Sequence, residues 1–242
     1  DENLIPLTQP AQLSLTAFGT ATNPTVVAVS EEGESWVIWE QYATGSNDAL
    51  LQAKAYNLET RSPGNVFGFS ASAGSKTLPR AVYNSPANEV AITFGQEVEN
   101  DAFAGLIRVN AASRGVLSSG FAAPSNDPQT IPAIAWLEDV NEYLIAWRED
   151  IPVDDTTSTQ VRAARLAGNT GAVLGEVIVI DDDAPAASNL AVAASTGLNR
   201  WIVAWSEDPS TLNSVAVDAT GTAASRSVTR VTSEVSGYTR VI

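Results

Sequence analysis

The sequence predicts an all-β chain: a β-propeller of four-stranded blades, with four complete repeats and a partial fifth. Three observations carry that expectation. A short apolar strand recurs as Glu34-Ser-Trp-Val-Ile-Trp-Glu40, Asn88-Glu-Val-Ala-Ile-Thr-Phe94, Asn141-Glu-Tyr-Leu-Ile-Ala-Trp147 and Asn199-Arg-Trp-Ile-Val-Ala-Trp205. Its terminal aromatics Trp39, Phe94, Trp147 and Trp205 are 55, 53 and 58 residues apart. A period of that length with strand-like content is the signature of a propeller or a β-solenoid. Each aromatic strand is preceded by a second short strand and followed by a third. A glycine turn comes next, at Gly64, Gly115, Gly171 and Gly221, with spacings of 51, 56 and 50.

Taken in order, the elements fill four units and two ends. Residues 10–20 read as a strand that belongs to a partial fifth blade. Repeat one covers about 24–78, repeat two 79–131, repeat three 132–188 and repeat four 189–236, all within one domain spanning 1–242. The first strands are Pro24-Thr-Val-Val-Ala28, Pro79-Arg-Ala-Val-Tyr83, Pro132-Ala-Ile-Ala-Trp136 and Asn189-Leu-Ala-Val-Ala193. They and the aromatic strands are almost wholly apolar, as expected of strands covered on both faces. The third strands run over residues 49–56, 104–109, 160–166 and 214–217. In the third repeat this strand alternates as Gln160-Val-Arg-Ala-Ala-Arg-Leu166, which suits a wetter position. The fourth strands are clearest at Glu176-Val-Ile-Val-Ile180 and Ser227-Val-Thr-Arg-Val231. Val, Ile, Thr, Trp and Tyr dominate these runs, and such residues pack well on a pleated surface. No segment offers a capped apolar period of 3.6, so almost no helix is expected. Tyr238-Thr-Arg-Val-Ile242 reads as the first strand of the partial fifth blade, whose edge would take further strands from the same polypeptide, a neighbouring subunit or a protein partner.

The pairing of Pro-x-[VI]-Ala-[WY] with [YW]-[LI]-[VI]-Ala-Trp and a glycine turn resembles the repeat motifs of secreted bacterial β-propeller proteins, over about residues 24–236. The resemblance implies an architecture shared by lectin-like, adhesive and scaffold proteins. The second repeat departs from it, with Tyr83 and Phe94 where Trp stands elsewhere.

Composition narrows the classes of function. The chain has 242 residues, 28 acidic against 13 basic, and a formal charge of −15. Such a surface repels nucleic-acid phosphates and anionic membranes and favours cations and basic partners. No run approaches the ~20 apolar residues that span a bilayer. The absence of Met and the start at Asp1 read as a mature secreted, periplasmic or cell-surface chain whose leader has been removed. With no His or Cys, Ser-His-Asp and Cys-His nucleophiles and His-ligated zinc are excluded.

Two sets of residues are candidate sites. Acids open the loops after the aromatic strands, at Glu40, Glu97, Glu149-Asp150 and Glu207-Asp208, and the run Asp181, Asp182, Asp183 lies on the same expected rim. Glu149, Asp150, Asp181, Asp182, Asp183, Glu207 and Asp208 form the candidate metal set, with Ca2+ the one cofactor considered, because six to eight oxygen ligands suit it. The alternative is a solvated acidic surface. Among the tryptophans, Trp36 and Trp201 start their strands near a turn and are the candidates for a partly exposed sugar platform. Trp39, Trp147 and Trp205 are expected in the core.

These readings give three function classes. The leading expectation is a non-catalytic binding and assembly scaffold for other macromolecules, through the open blade edge. The first alternative is a glycan-binding, lectin-like propeller. The second is a carboxylate glycoside hydrolase, since five-bladed propellers host glycosidases. The first strands carry no Asp or Glu, and sialidase-type Asp boxes are missing, which counts against the third class.

Overall fold

The computed structural model describes residues 19–29, 33–69, 74–98, 101–123, 125, 127–153, 156–208 and 210–230. They form four antiparallel sheets of four strands each. Sheet 1 holds β1 (Ala21–Ala28), β2 (Glu34–Tyr42), β3 (Ala49–Asn57) and β4 (Ser62–Gly68). Sheet 2 holds β5 (Ser75–Asn84), β6 (Glu89–Val98), β7 (Asp101–Asn110) and β8 (Val116–Phe121). Sheet 3 holds β9 (Gln129–Leu137), β10 (Glu142–Val153), β11 (Thr156–Ala167) and β12 (Val173–Asp181). Sheet 4 holds β13 (Ser188–Ser195), β14 (Arg200–Asp208), β15 (Thr211–Asp218) and β16 (Ser227–Arg230). Within every sheet the strands lie in chain order, so each is a simple meander. Helical content among the described residues is confined to short 3-10 turns at Glu138–Val140 and Thr196–Leu198, and no helix there is long and apolar enough to cross a membrane.

The first strands of successive sheets pack on one another, β1 on β5, β5 on β9 and β9 on β13. This arrangement is propeller-like: β1, β5, β9 and β13 are the inner strands. No comparable packing joins β13 to β1 among the described residues. That gap explains a departure from the expected double coverage: β1 is mostly exposed, with Val26 at 60%. The expected terminal strands at 10–20 and 238–242 lie outside the described residues except for Gly19 and Thr20.

Three apolar seams hold the sheets together. Between sheets 1 and 2, Trp36, Ile38, Leu51 and Phe69 meet Ile92, Phe94 and Ile107. Between sheets 2 and 3, Ala91, Ala104 and Leu106 meet Tyr143, Ile145 and Trp147. Between sheets 3 and 4, Leu144, Ala146 and Ala163 meet Trp201, Val203 and Trp205. Phe94, Trp147 and Trp205 thus occupy the same place, each facing the preceding sheet and buried to 1% exposure or less. Trp39 is equally enclosed at 3%. Phe in place of Trp in the second repeat is matched by Gly105 opposite, where a Cβ would lie 2.4 Å from the Phe94 ring.

Polar staples reinforce two seams at the rim of the turns that leave the inner strands. Arg108 of β7 makes a bidentate pair with Glu89 of β6 at 2.8 and 2.6 Å and donates onward to the Asn169 carbonyl of sheet 3 at 2.8 Å. The Tyr143 hydroxyl closes the group by donating to Glu89 at 2.6 Å. Arg165 repeats the motif one sheet on, pairing with Glu142 at 2.8 Å and donating to the Thr220 carbonyl at 2.7 Å. The recurrent turn glycine acquires a reason here. Gly171 has φ +73° and a Cβ on it would sit 2.9 Å from the Arg108 Cδ, while Gly221, at φ +90°, would place one 3.2 Å from the Arg165 Cδ. The turn must be left-handed and bare for the neighbouring arginine to cross it.

Candidate functional site

Each inner strand carries a β-bulge at one and the same place. In β1 the pairs Thr22↔Glu40 and Thr25↔Ile38 leave Asn23 and Pro24 opposite the single residue Trp39. In β5 Leu78 and Pro79 lie opposite Phe94, in β9 Ile131 and Pro132 opposite Trp147, and in β13 Asn189 and Leu190 opposite Trp205. The first bulge residue is left-handed in all four, with φ of 48°, 52°, 45° and 50°. Proline is tolerated because the extra residue owes no ladder hydrogen bond. Asn adopts this conformation readily, whereas Leu78 and the β-branched Ile131 are genuine outliers. The strain is repeated near the start of the inner strands, the end shared with the loops that follow β2, β6, β10 and β14. Bulges and off-region residues of this kind concentrate at functional sites.

One buried carboxylate is bonded to two of these bulges. Glu40, on β2, is 1% exposed. Its oxygens accept from the Thr22 hydroxyl at 2.8 Å, the Asn23 amide at 2.8 Å, the Tyr42 hydroxyl at 3.1 Å and the Leu78 backbone N–H. It therefore ties the bulge of sheet 1 to that of sheet 2 through neutral donors. Burial, reinforced by the charge and hydrogen bond of Glu40, raises the Tyr42 phenol above its ordinary pKa, with Glu97 adding a smaller push. Glu97 ends β6 as an exposed carboxylate. Arg80 immediately follows the sheet 2 bulge. It is exposed, yet the protein around it desolvates the guanidinium enough to lower its pKa, with Glu40 pulling the other way. An open cleft of about 460 Å3 adjoins the group, lined by Gly19, Thr20, Tyr42 and Ala43–Asn47. A buried carboxylate, a phenol, an exposed carboxylate and a desolvated cation can together orient a polar ligand and move a proton on it.

The residues singled out from sequence fare differently. Trp36 and Trp201 were expected to be partly exposed; they are 0% and 1% exposed, so neither offers a face to a sugar. Trp36 packs edge-on against Phe67 at 4.9 Å, and its indole donates to Glu34 at 2.7 Å. Trp201 fills the seam between sheets 3 and 4. Both strands begin at a turn, yet the adjacent sheet closes over them.

Five of the seven acids of the candidate metal set are engaged by protein donors. Glu149 is fully buried, pairs with Arg162 at 3.0 Å and accepts from the Ser125 hydroxyl and the Trp147 indole. Asp150 pairs with Arg148 at 2.9 Å and accepts from Thr159. Asp181 and Glu207 share Arg226 at 2.6 and 3.4 Å, across the seam of sheets 3 and 4. Asp183 bonds locally, its backbone N–H donating to Asp181, and Asp182 is exposed. Asp208 is held below the usual carboxylate range by hydrogen bonds from Ser210 and Thr211. Among the described residues no three acids gather around a metal-sized space. The residue two places after the aromatic serves it instead: Trp39, Trp147 and Trp205 donate to Gln41, Glu149 and Glu207 at 3.2 to 3.4 Å.

Sequence reasoning placed Glu40 in a solvated loop and missed its burial, and it did not single out Arg80. Two signals were available: Pro24 and Pro79 inside apolar strands, which mark bulges, and an acid directly abutting the core Trp39.

No family profile and no curated protein sequence matches the chain. Solved structures do share its arrangement. A Hadza microbial sialidase superposes with a TM-score of 0.62 at 9% identity, over 90% of this chain and 48% of the sialidase. A GH43 β-1,3-galactosidase gives 0.60 at 11% identity, over 89% of this chain and 79% of the enzyme. An exo-β-1,3-galactanase from Phanerochaete chrysosporium gives 0.55 at 13%, over 86% and 49%. The chain thus spans about half the length of the sialidase and of the galactanase. At these identities the likeness establishes the fold. It also overturns the non-catalytic scaffold as the leading expectation: the sialidase, the galactosidase and the galactanase are carbohydrate-active enzymes, and the hydrolase alternative is the one they back. β1, β5, β9 and β13 carry no acid, but β2 delivers Glu40 to the bulges of sheets 1 and 2.

Proposed function

We propose that this chain is a β-propeller that acts on carbohydrate at the rim where its inner strands begin, by carboxylate-based glycoside hydrolysis. In this reading further strands close the arc between sheet 4 and sheet 1 and complete the ring. The observation that carries it is the buried carboxylate of Glu40, bonded to two strained inner-strand bulges through Asn23 and Leu78, with its partner Tyr42 lining an open cleft. Glycoside cleavage uses an acid that protonates the leaving oxygen and a second carboxylate that acts as base, nucleophile or stabiliser of positive charge. Glu97 is exposed and forms no side-chain hydrogen bond or ion pair among the described residues. It is the group free to exchange a proton with substrate. Glu40 is the fixed partner, holding the Tyr42 phenol and the Asn23 amide in place and setting a negative field beneath them. The glycoside hydrolases that share the arrangement support the same chemistry.

A second reading, glycan binding without cleavage, is favoured by one feature: both Glu40 oxygens are already occupied by protein donors. A panel of aryl glycosides and natural oligosaccharides separates the two. Hydrolysis of at least one substrate is expected, with Glu97→Gln slowing it by about 100-fold or more, as loss of a general acid or base does, at an unchanged melting temperature. Binding without product release would establish the second reading. Neither binding nor release would sink both.

A further inference from the structure

The inner strands hold a charge pattern opposite to that of the whole chain. Acidic residues outnumber basic ones 28 to 13, yet the only charged residues on β1, β5, β9 and β13 are Lys76 and Arg80, both on β5. Lys76 is buried, and burial lowers its pKa. Arg80 is the accessible one. Its counterparts after the other three bulges are Thr25, Ala133 and Ala191, so a single long cation projects from a position otherwise held by small residues.

Arg80 also lacks what most of the other described arginines have. Arg108, Arg114, Arg148, Arg162, Arg165 and Arg226 each pair with a carboxylate. Among the described residues Arg80 has no ion pair, and its Nη1 donates to the Pro79 carbonyl at 2.9 Å. Among the described residues Arg61 and Arg200 have no ion pair either, but Arg61 lies on a turn and Arg200 at the first position of β14, both at the opposite rim. Among the described residues the carboxylate whose charge acts on Arg80 is Glu40, which is held by Thr22, Asn23, Tyr42 and the Leu78 N–H instead. In so acidic a chain, a desolvated arginine without an acid is a recognition group awaiting its anion. Its planar fork suits a carboxylate or sulfate bidentately.

We propose that Arg80 recognises an anionic sugar, so that the glycan bound at this rim carries a carboxylate or a sulfate ester. This rests on the carbohydrate reading above and narrows its substrate class. The test is calorimetric titration of the chain with matched pairs: tetragalacturonate against its methyl ester, sialyllactose against lactose, and galactose 6-sulfate against galactose. The expected result is that one anionic member binds about 10-fold or more tightly than its neutral counterpart, the scale of one charge-assisted contact, and that added salt weakens the preference. Arg80→Ala and Arg80→Gln should erase the preference at an unchanged melting temperature, and Arg80→Lys should keep part of it. Which pair responds identifies the anion. Equal binding of anionic and neutral members, or a preference that survives in both neutral variants, would overturn this proposal and leave the carbohydrate reading standing. Absence of binding by every sugar would overturn both.

Discussion

At the scale of single residues, Glu89 and Arg108 show what burial does to charge. Both are nearly enclosed, with side chains 1% and 6% exposed. Such a pair adds little relative to apolar packing, but removing one partner strands the other. Arg108→Ala is expected to cost about 3–5 kcal/mol in urea unfolding. The better-hydrated Arg165–Glu142 pair, 18% and 15% exposed, should cost distinctly less when cut the same way. Tyr143 adds a pH dependence. Burial, then its bond to Glu89, pushes its phenol far above the ordinary 10.0. Below that ordinary value the phenol is protonated in both folded and unfolded chains. Above it the unfolded chain releases the proton and the folded one retains it, so stability must fall as pH rises beyond 10.0. Urea midpoints on either side of that value should show the decline, and Tyr143→Phe should flatten it. Trp147, fully buried at its seam, should cost about 3–5 kcal/mol as Ala. A near-neutral Trp147→Ala would contradict the seam packing.

At the scale of elements, the bulge and the turn are the parts that sequence made half-visible. The aromatic strands and their spacing were legible because apolar, β-branched runs repeat with the sheets. Pro24, Pro79 and Pro132 were legible as strand starts, but their bulges depend on register against Trp39, Phe94 and Trp147, which no single strand encodes. The acids were misread for a related reason. Asp181 finds Arg226 across 45 residues and Glu40 finds the Leu78 N–H across 38, so composition alone shows a row of free carboxylates where the fold makes bonds. The buried Trp36 and Trp201 depended likewise on which sheet comes to rest against them. The turn glycines permit an element-level prediction with an internal control. Gly171 and Gly175 share φ +73°, but only Gly171 faces the Arg108 side chain, while a Cβ on Gly175 meets nothing within 4 Å. Gly175→Ala should cost about 1–2 kcal/mol from left-handed strain alone. Gly171→Ala should cost more, and a double variant with Arg108→Ala should be less than additive. Equal costs would remove the crossing arginine as the reason for the glycine.

At the scale of the whole molecule, the four sheets present two different rims. One gathers the bulges, Glu40, Tyr42, Glu97, Arg80 and the 460 Å3 cleft. The other carries the turns after the inner strands, the arginine staples and a smaller cleft of about 270 Å3 lined by residues such as Glu34, Asn57, Asn88 and Arg114. The inner-strand bulges and the accessible catalytic-type groups lie on the first, while the Arg108 and Arg165 staples lie on the second. Function is therefore placed on the bulged rim, and the arginine staples brace the other. The most direct test is amide hydrogen exchange with and without a glycan that the chain binds or cleaves. Protection should appear at residues 42–47, 75–80 and 96–98, with residues 111–115, 168–171 and 219–222 unchanged. Protection confined to the second set, or none at the first under saturating glycan, would contradict the assignment of the site to the bulged rim.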